Sequence, residues 1–576
     1  MTKINLDWQK YLLFAGMATV AFTLLLRWSD FKDSQKVDLD NDAVTISQYS
    51  AAEHNATDKA VVARVTAVNS DTENNSTDSL IPQTPIEEEK AAKIEMVAAQ
   101  QLISINTDNL KVLIDTRGGD IVKIALPKHY AKIDTPDKPF VLLNRTEKTT
   151  YIAQSGLIGK NGTDKPGQRP IFTSDSNHYQ LQDGENQLEI VLTTQQGDVT
   201  IEKIFTFTRS DYLIDMQYRI TNGGNNNWKA LLYAQILRDT HEPASDAGIG
   251  MQPFLGVSLT TTETNYQKFT FSDIEEEKFK ETHKGGWVAM VQHYFISAWV
   301  ADQNQENRFT LQKFKNKNLY SFGFTTPNLT VSSGETKTIG ASFYAGPKDV
   351  YRLEEIAPYL DLTVDYSWLW WVAKPLFYFL HWIYSFIGNW GLSIIALTIA
   401  VKAIFFKLSA TSYKSMANMR KIQPQMTRLK ELHGSDRARM SQEMMKLYKK
   451  EKVNPMGGCL PVLVQMPVFL ALYWVLMESV ELRHTAFLWI GDLSVKDPIF
   501  ILPLLMGLTM FIQMKLNPTP PDPTQAKIMQ IMPIAFTFLF MWFPAGLVLY
   551  WVTNNTLSIA QQYVITKNIE NTSSDK

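Results

Sequence analysis

One lysine, Lys402, lies inside a strongly apolar segment of this chain of 576 residues. An ammonium group is costly to place in hydrocarbon, so a lysine at such a position is a candidate for a functional site. Lys402 lies about five residues, roughly 8 Å of helix, from Lys407 at the end of the segment. From that depth the side chain has an alternative, which is to extend to the membrane surface and take no part in function.

Other polar side chains occur at a similar depth in the neighbouring apolar segments. Gln465 lies near the start of the next segment, and Thr398 shares a helix face with Lys402 through the i, i+4 spacing. The others are Thr509, Gln513, Gln530, Asn554, Asn555, Gln561 and Gln562. A single residue of this kind can simply link two helices by a hydrogen bond. Their shared bias toward one end of the segments favours a water-accessible cavity, in which a cation attracts acidic or polar parts of another chain.

Five apolar segments must position these residues, and each is close to the ~20 residues that cross a bilayer. They cover about 390–407, 460–481, 498–514, 528–543 and 546–565. Residues 408–455 carry eleven Lys or Arg against four Asp or Glu. A short loop with this positive excess belongs on the cytoplasmic side. We therefore predict a second span at 390–408, a cytoplasmic hairpin at 409–455, spans three to six at 456–567 and a cytoplasmic tail at 568–576.

The N-terminal part of the chain is predicted to divide into four further regions. Residues 11–26 form an apolar run with no cleavage-site pattern after it, which predicts a retained signal-anchor span within 1–29. Residues 30–97 are polar and acidic, which predicts a flexible linker. From 98 to 348 short runs alternate between apolar and polar residues, which predicts an antiparallel all-β sandwich outside the membrane. The aromatic-rich residues 349–389 predict a connector and an amphipathic helix in the membrane interface.

The basic loop is predicted to form a helical hairpin. Apolar residues recur at helical spacing before and after Gly434, and Ser435 is a candidate cap of the second helix. They are Met416, Met419, Ile422, Met426, Leu429, Met440, Met444 and Leu447. We expect them to form the seam of the hairpin, with the alternative that the methionines receive apolar partner segments.

Basic residues on the hairpin allow two interpretations. They are either a solvated face or a set of contacts to anionic lipid or ribosomal RNA. The candidate contact residues are Lys414, Arg420, Lys421, Arg428, Arg437 and Arg439.

Several chemistries are disfavoured by the sequence. The net charge of −2 argues against general nucleic-acid binding, and the single cysteine, Cys459, rules out an intramolecular disulfide. Proton relay needs carboxylates at depth, whereas Glu478 and Glu481 lie near the outer ends of their segment. No spacing resembles a metal site or a catalytic triad, so we expect no metal, no cofactor and no enzymatic activity.

Two alternatives remain from other functional classes. The first is a small-solute or ion transporter that uses Lys402 as a counter-ion, although the spans show no internal repeat. The second is a carbohydrate-processing enzyme, which a facing pair of carboxylates in a cleft of the β domain would indicate.

Several motifs resemble the YidC/Oxa/Alb family of membrane protein insertases. They are Gly388-Asn389-Trp390-Gly391, Glu451-Lys452-Val453-Asn454-Pro455, Gly457-Gly458-Cys459, Gln465-Met466-Pro467 and Trp542-Phe543-Pro544-Ala545-Gly546-Leu547. The resemblance covers residues 355–568, and the N-terminal anchor with a large external domain is similar to the Gram-negative type. It implies an insertase and foldase of the bacterial inner membrane, with both termini in the cytoplasm and a β-supersandwich in the periplasm.

The resemblance also implies partners and a substrate groove. The partners are nascent inner-membrane proteins, the Sec translocon with SecD/SecF, the ribosome, the signal recognition particle receptor and membrane lipids. The implied groove residues are Thr398, Lys402, Gln465, Met466, Pro467, Tyr550 and Trp551. This sequence departs from the family pattern at two of them, since the cation is usually arginine rather than Lys402 and the residue at Trp551 is usually tyrosine. Lysine keeps the charge but lacks the bidentate geometry of arginine.

Overall fold

The computed structural model describes residues 102–241, 253–276, 278–314, 317–433, 436–451, 453, 460–518 and 523–574. The predicted anchor at 1–29 and the predicted linker at 30–97 lie outside these residues. The same holds for Gly434 and Ser435 and for residues 454–459, which include Cys459.

The first part of the described chain consists of nineteen β-strands and one short helix, α1 (Phe271–Glu276). In chain order the strands are β1 (Leu102–Asn106), β2 (Lys111–Asp115), β3 (Asp120–Tyr130), β4 (Pro139–Arg145), β5 (Thr150–Ile158), β6 (His178–Gln180), β7 (Gln187–Gln196), β8 (Val199–Thr208), β9 (Leu213–Asn222), β10 (Trp228–Arg238), β11 (Gly256–Leu259), β12 (Gln267–Phe269), β13 (Phe279–Lys284), β14 (Trp287–Val291), β15 (Phe295–Val300), β16 (Glu306–Lys313), β17 (Tyr320–Thr325), β18 (Leu329–Val331) and β19 (Thr336–Pro347).

These strands form two sheets. The first has eleven strands in the order β13-β16-β17-β10-β5-β4-β3-β2-β1-β6, with β18 paired to β10, and the second has eight in the order β12-β11-β14-β15-β19-β9-β8-β7. The predicted all-β architecture is confirmed. It is not purely antiparallel, because β1 and β6 pair in parallel, with Ser104 opposite His178.

Strand β9 shows how the alternation in the sequence builds the core. Ile214, Met216, Tyr218 and Ile220 are at most 1% exposed, and more polar residues separate them along the strand. Successive side chains of a strand point to opposite faces, so these four residues all face the interior between the two sheets. They join a hydrophobic core to which both sheets contribute.

Strands β14 and β15 depart from this pattern, because all their residues are buried. One face of these strands packs into the core between the sheets, through residues such as Val288 and Met290. The other face, with Trp287 and Ala289, packs into a second core that contains residues of the C-terminal helices. The continuous apolar runs therefore mark the place where the sheet is covered on both sides.

Nine further helices follow the last strand in the described chain. They are α2 (Val350–Ile356), α3 (Trp370–Ile387), α4 (Trp390–Ile404), α5 (Phe406–His433), α6 (Arg437–Lys450), α7 (Leu460–Glu478), α8 (Ile501–Leu516), α9 (Pro523–Phe540) and α10 (Ala545–Ser574). Short 3-10 turns lie at Leu360–Thr363, Ser367–Leu369 and Val480–Leu482. The predicted interfacial helix corresponds to α3, which continues through Pro375 and buries Ala373, Phe377, Leu380 and Ile383.

Within the described chain, no single helix is both long enough and apolar enough to cross a bilayer. Helices α4 and α5 pass the same test together, but they are bent by 68° at the break between them. The apolar stretches Gln465–Glu478, Ile501–Leu516 and Ala526–Phe540 are shorter. The predicted spans correspond in position to α4, α7, α8, α9 and α10, and their number stays a prediction.

Helices α5 and α6 pack against each other through a small apolar cluster. Its buried members are Ile422, Met426, Leu447 and Val453, with Met419, Leu429, Met444 and Tyr448 partly buried against them. Met416 and Met440, which we predicted in the seam, are not part of this cluster. Asp436 is the N-cap residue of α6 and accepts hydrogen bonds from the backbone N–H groups of Ala438 and Arg439, a role we had expected of Ser435.

Candidate functional site

Helices α4, α7 and α10 meet around the Lys402 ammonium group. Lys402 Nζ donates a hydrogen bond to Ser558 Oγ of α10 at 2.7 Å and lies 3.4 Å from Gln465 Oε1 of α7. Lys402 is half-buried, and Ser558 is 3% exposed. The cation is therefore held between three helices by neutral oxygen atoms.

The neutral partners of Lys402 are themselves oriented by Asn554. The Gln465 amide nitrogen donates to Asn554 Oδ1, which leaves the Gln465 carbonyl oxygen facing the lysine. Ser558 Oγ donates its proton to the Asn554 backbone carbonyl at 2.7 Å, which leaves its lone pairs for Lys402. The side-chain oxygen atoms of Gln465 and Ser558 therefore face the ammonium group, because the N–H and O–H groups of the same side chains donate to Asn554.

No acidic side chain of the described residues forms an ion pair with Lys402, whose hydrogen-bond partners are the neutral Gln465 and Ser558. The positive charge is therefore not neutralised by the protein around it. Because Lys402 is half-buried, part of its side chain also stays accessible. This combination suits the binding of an anionic or polar group that comes from another molecule.

The other predicted groove residues differ in how they relate to Lys402. Thr398 is 1% exposed, and its hydroxyl donates to the Ile394 carbonyl of its own helix at 2.7 Å rather than to the lysine. Met466 is 42% exposed and Pro467 is half-buried, next to Gln465 on α7. Only Gln465 of these four contacts the cation through a polar atom in the described structure.

The two aromatic residues of α10 line the apolar side of the site. Tyr550 is 1% exposed, and its ring stacks near that of Phe469, with ring centroids 6.3 Å apart. Trp551 packs edge-on against Phe469, with ring centroids 4.5 Å apart, and its ring also lies 5.3 Å from that of Phe540. Its indole N–H finds no hydrogen-bond partner among the described residues, so Trp551 contributes packing rather than a polar contact.

Further polar residues that we predicted in a shared cavity instead link helices. Asn555 Nδ2 donates to Thr509 Oγ1 at 3.3 Å, which joins α10 to α8. Gln561 donates to the Phe406 carbonyl and Gln562 to the Leu516 carbonyl, both at 3.1 Å. Gln513 is half-buried and Gln530 is exposed. The alternative role, a hydrogen bond that links two helices, therefore describes Asn555, Gln561 and Gln562.

Ser558 is the site residue that the sequence analysis missed. A serine is common enough in apolar helices to pass unnoticed, but Asn554, Ser558 and Gln562 follow each other at i, i+4 spacing. This spacing forms a polar stripe along one face of α10, and the stripe was the available signal. The buried side chain of Tyr413, from α5, also interacts with Ser558.

The predicted hairpin contacts fall into two groups. Arg420 donates to the Lys515 and Leu516 carbonyls, so its guanidinium group lies at the C-terminal end of α8, where a positive charge is favourable. The side chains of Lys414, Lys421, Arg428 and Arg439 are exposed, and the side chain of Arg437 lies outside the described ones.

A buried carboxylate pair in the described part of the β domain bears on the carbohydrate-processing alternative. Asp120 and Asp164 both form ion pairs with Arg169, and the side chains of all three are at most 9% exposed. Burial raises the pKa of Asp120 and lowers that of Lys203, whose ammonium group donates to the Gly118 and Gly119 carbonyls. This pair is a closed ion network rather than an acid and a base facing an open cleft. The described residues also contain no group of three or more metal-ligating side chains.

The chain matches two family models, described as "YidC periplasmic domain" over residues 102–379 and "60Kd inner membrane protein" over residues 382–572. It is 53% identical over 569 residues to the membrane protein insertase YidC of Cellvibrio japonicus, covering 98% of this chain and 99% of that protein. It is 51% identical over 568 residues to the same protein of Saccharophagus degradans, covering 98% and 100%. A solved structure described as "Active YidC insertase crystal structure with the first transmembrane domain resolved" is 19% identical, with a TM-score of 0.36 and coverage of 80% of this chain and 92% of that one.

Proposed function

Since this chain belongs to the YidC family of membrane protein insertases, we propose that it inserts nascent proteins into the inner membrane by receiving their polar segments at Lys402. The transporter alternative is not carried further, because relatives that match 98% of the chain are insertases. The groove is non-enzymatic in this proposal and needs no cofactor, because it makes and breaks no covalent bond.

The observation that carries this proposal is the uncompensated charge of Lys402. Two charges 4 Å apart attract by about 4 kcal/mol at an effective dielectric constant of 20. That attraction offsets part of the cost of moving an acidic side chain of the substrate out of water. The partners Ser558 and Gln465 are neutral, so they hold the ammonium group in place without cancelling its field.

Release of the substrate into lipid would use the apolar flank of the helices. Leu504, Leu508 and Phe511 of α8 are about half exposed, as are Ile531 and Ile534 of α9. In a bilayer such side chains face hydrocarbon, which accepts the apolar segments of a substrate. Polar segments of a substrate would thus bind at the Lys402 site, while its apolar segments would leave along the apolar face into the lipid.

The proposal is tested by insertion of a two-span substrate with an acidic N-terminal tail, compared with the same substrate carrying neutral asparagines there. We expect Lys402→Ala to reduce insertion of the acidic substrate about tenfold, which corresponds to ~1.4 kcal/mol, and to spare the neutral one. Lys402→Arg should be tolerated, because it keeps the charge. Lys407→Ala is the matched control, since this lysine is exposed just beyond the bend after α4. Equal insertion of the acidic substrate by wild type and Lys402→Ala would refute the role of the charge.

We extend the proposal to topology and partners on the basis of charge. The hairpin formed by α5 and α6 lies within a region of eleven Lys or Arg and is assigned to the cytoplasm, with both termini on that side and the β domain in the periplasm. The exposed basic residues of this hairpin would contact anionic lipid, the ribosome or the signal recognition particle receptor. The β domain would contact SecD/SecF when the protein works with the Sec translocon, and the protein would also insert some substrates alone. Labelling of single cysteines from either side of the membrane checks this topology.

A further inference from the structure

The β domain and the helical domain share one continuous hydrophobic core. Trp287, Ala289 and Ile296 of strands β14 and β15 belong to the same buried cluster as Leu472 and Leu476 of α7. All five are at most 1% exposed. The outer part of α7 and one face of the β-sheet therefore belong to the same buried core, so the two domains are joined by more than the connecting chain.

Two polar groups of the β domain hold the C-terminal end of α7. Lys348, directly after β19, forms an ion pair with Glu478, the last residue of the helix, and both side chains are at most 2% exposed. His293, between β14 and β15, lies with its Nε2 atom 2.8 Å from the Met477 carbonyl oxygen. The last carbonyls of a helix have no partner within the helix, so a donor and a cation at this end are both favourable.

The same helix carries the amide that faces Lys402. Gln465 precedes Glu478 by 13 residues (478 − 465), which is ~20 Å of helix at 1.5 Å per residue. The Lys402–Gln465 distance of 3.4 Å is near the upper limit of a hydrogen bond. A slide or rotation of α7 by about 1 Å is therefore enough to break this contact.

We propose that Lys348 is a positioning residue of the groove: its pair with Glu478 fixes the depth and rotation of α7, and thereby keeps Gln465 on Lys402. The inference rests on the proposed role of Lys402, but the position of α7 can be measured without any insertion assay. Hydrophobic contacts alone permit small slides along a smooth interface, whereas a buried ion pair has one geometry. The β domain thus takes part in shaping a groove that lies ~20 Å from it.

The first test measures the position of α7 in the full chain. Spin labels at Met466 on α7 and Val564 on α10, both exposed, report their distance by pulsed electron paramagnetic resonance in a background where Cys459 is replaced by serine. The key variant is the double substitution Lys348→Met with Glu478→Met, which removes both charges and leaves neither one buried without a partner. We expect it to fold and to shift or broaden the distance by about 1 Å or more, the displacement that is enough to break the 3.4 Å contact between Lys402 and Gln465.

The charge swap Lys348→Glu with Glu478→Lys should restore the parent distance. The control is Arg352→Met, because the ion pairs of Arg352 in the described chain join it to Asp211 at 2.6 Å and to Glu355 at 2.8 Å, and neither partner belongs to α7. An unchanged distance in the double methionine variant would overturn the proposal. A shift of the same size in Arg352→Met would also overturn it, by showing that the junction responds to any lost ion pair.

The second test asks whether the effect passes through Lys402. The double methionine variant should lower insertion of the acidic-tailed substrate by less than Lys402→Ala does, because Lys402 keeps its charge and its hydrogen bond to Ser558. The two changes together should be no worse than Lys402→Ala alone. Two results would show a merely structural role and overturn the inference. One is an equal loss of insertion for the acidic and the neutral substrate. The other is a combined variant whose loss of insertion is the product of the losses in the double methionine variant and in Lys402→Ala. If Lys402→Ala itself has no effect, the proposed function fails, while the distance measurement still decides whether Lys348 positions α7.

Discussion

Acidification should weaken the junction between the β domain and α7 through His293. Burial, with a contribution from Lys348, lowers the pKa of His293 to about 3, so the folded protein keeps this imidazole neutral. In the unfolded chain the pKa is about 6.5. Between these values the unfolded state binds more protons, so the free energy of unfolding rises with pH and is lost as the pH falls below about 6.5.

The size of the loss follows from the two pKa values. At pH 5 His293 is almost fully protonated in the unfolded chain and neutral in the folded protein. This difference lowers the free energy of unfolding by about 2 kcal/mol relative to pH 8. His129 faces the same penalty, because burial lowers its pKa to about 4, and it adds about 2 kcal/mol more. Together the two histidines should therefore lower the unfolding free energy of the β domain by about 4 kcal/mol between pH 8 and pH 5.

The variant His293→Gln isolates the contribution of one group. Glutamine keeps an N–H donor for the Met477 carbonyl but does not titrate, so at pH 8 the variant should unfold within ~1 kcal/mol of wild type. At pH 5 its loss should be smaller than that of wild type by about 2 kcal/mol. Pulse proteolysis of the full chain in urea, at pH values from 5 to 8, measures both free energies. If the two proteins show parallel pH dependence over this range, His293 is not held neutral in the folded state.

Two further substitutions probe the packing of each domain. Arg169→Met leaves Asp120 and Asp164 buried without their partner. The urea midpoint of the β domain should therefore fall by an amount that corresponds to about 3–5 kcal/mol. An unchanged midpoint would contradict the ion network. Gly391→Ala places a methyl group 2.2 Å from the Phe487 ring. This overlap should lower the free energy of unfolding of the helical domain by about 1–3 kcal/mol, and its Tm should fall. An unchanged Tm would mean that Phe487 can move aside freely.

The sequence predicts those features that depend on local periodicity. Alternation in segments such as Leu213–Asn222 predicts strands with one buried face, because a strand repeats every two residues. The proximity of Lys402 and Gln465 was expected for a similar reason. Both lie a short distance from the same basic loop on antiparallel helices, so they share a depth, and the structure places them 3.4 Å apart.

Other features depend on contacts that no local pattern encodes. Glu478 was predicted near the outer end of its segment, but its burial, with 1% exposure, and its pairing with Lys348, 130 residues earlier, were not. The bend between α4 and α5 lies inside a continuous apolar run, 390–407, so hydropathy alone gives no signal of it. Ser558 was overlooked because its importance comes from a hydrogen bond to a helix 156 residues away.

Lys203 and Lys348, two buried lysines of the described chain, differ from Lys402 in how their N–H groups and charges are used. Lys203 is 0% exposed and donates to three carbonyl oxygens, at 2.8–3.2 Å, so each of its N–H groups is used. The charge of Lys348 is compensated by Glu478. Lys402 donates to two neutral oxygens, which leaves one N–H group and the whole charge for another molecule. A substrate needs only that spare donor and that charge. Arginine would supply both as well, so the lysine that departs from the family pattern should perform the same task.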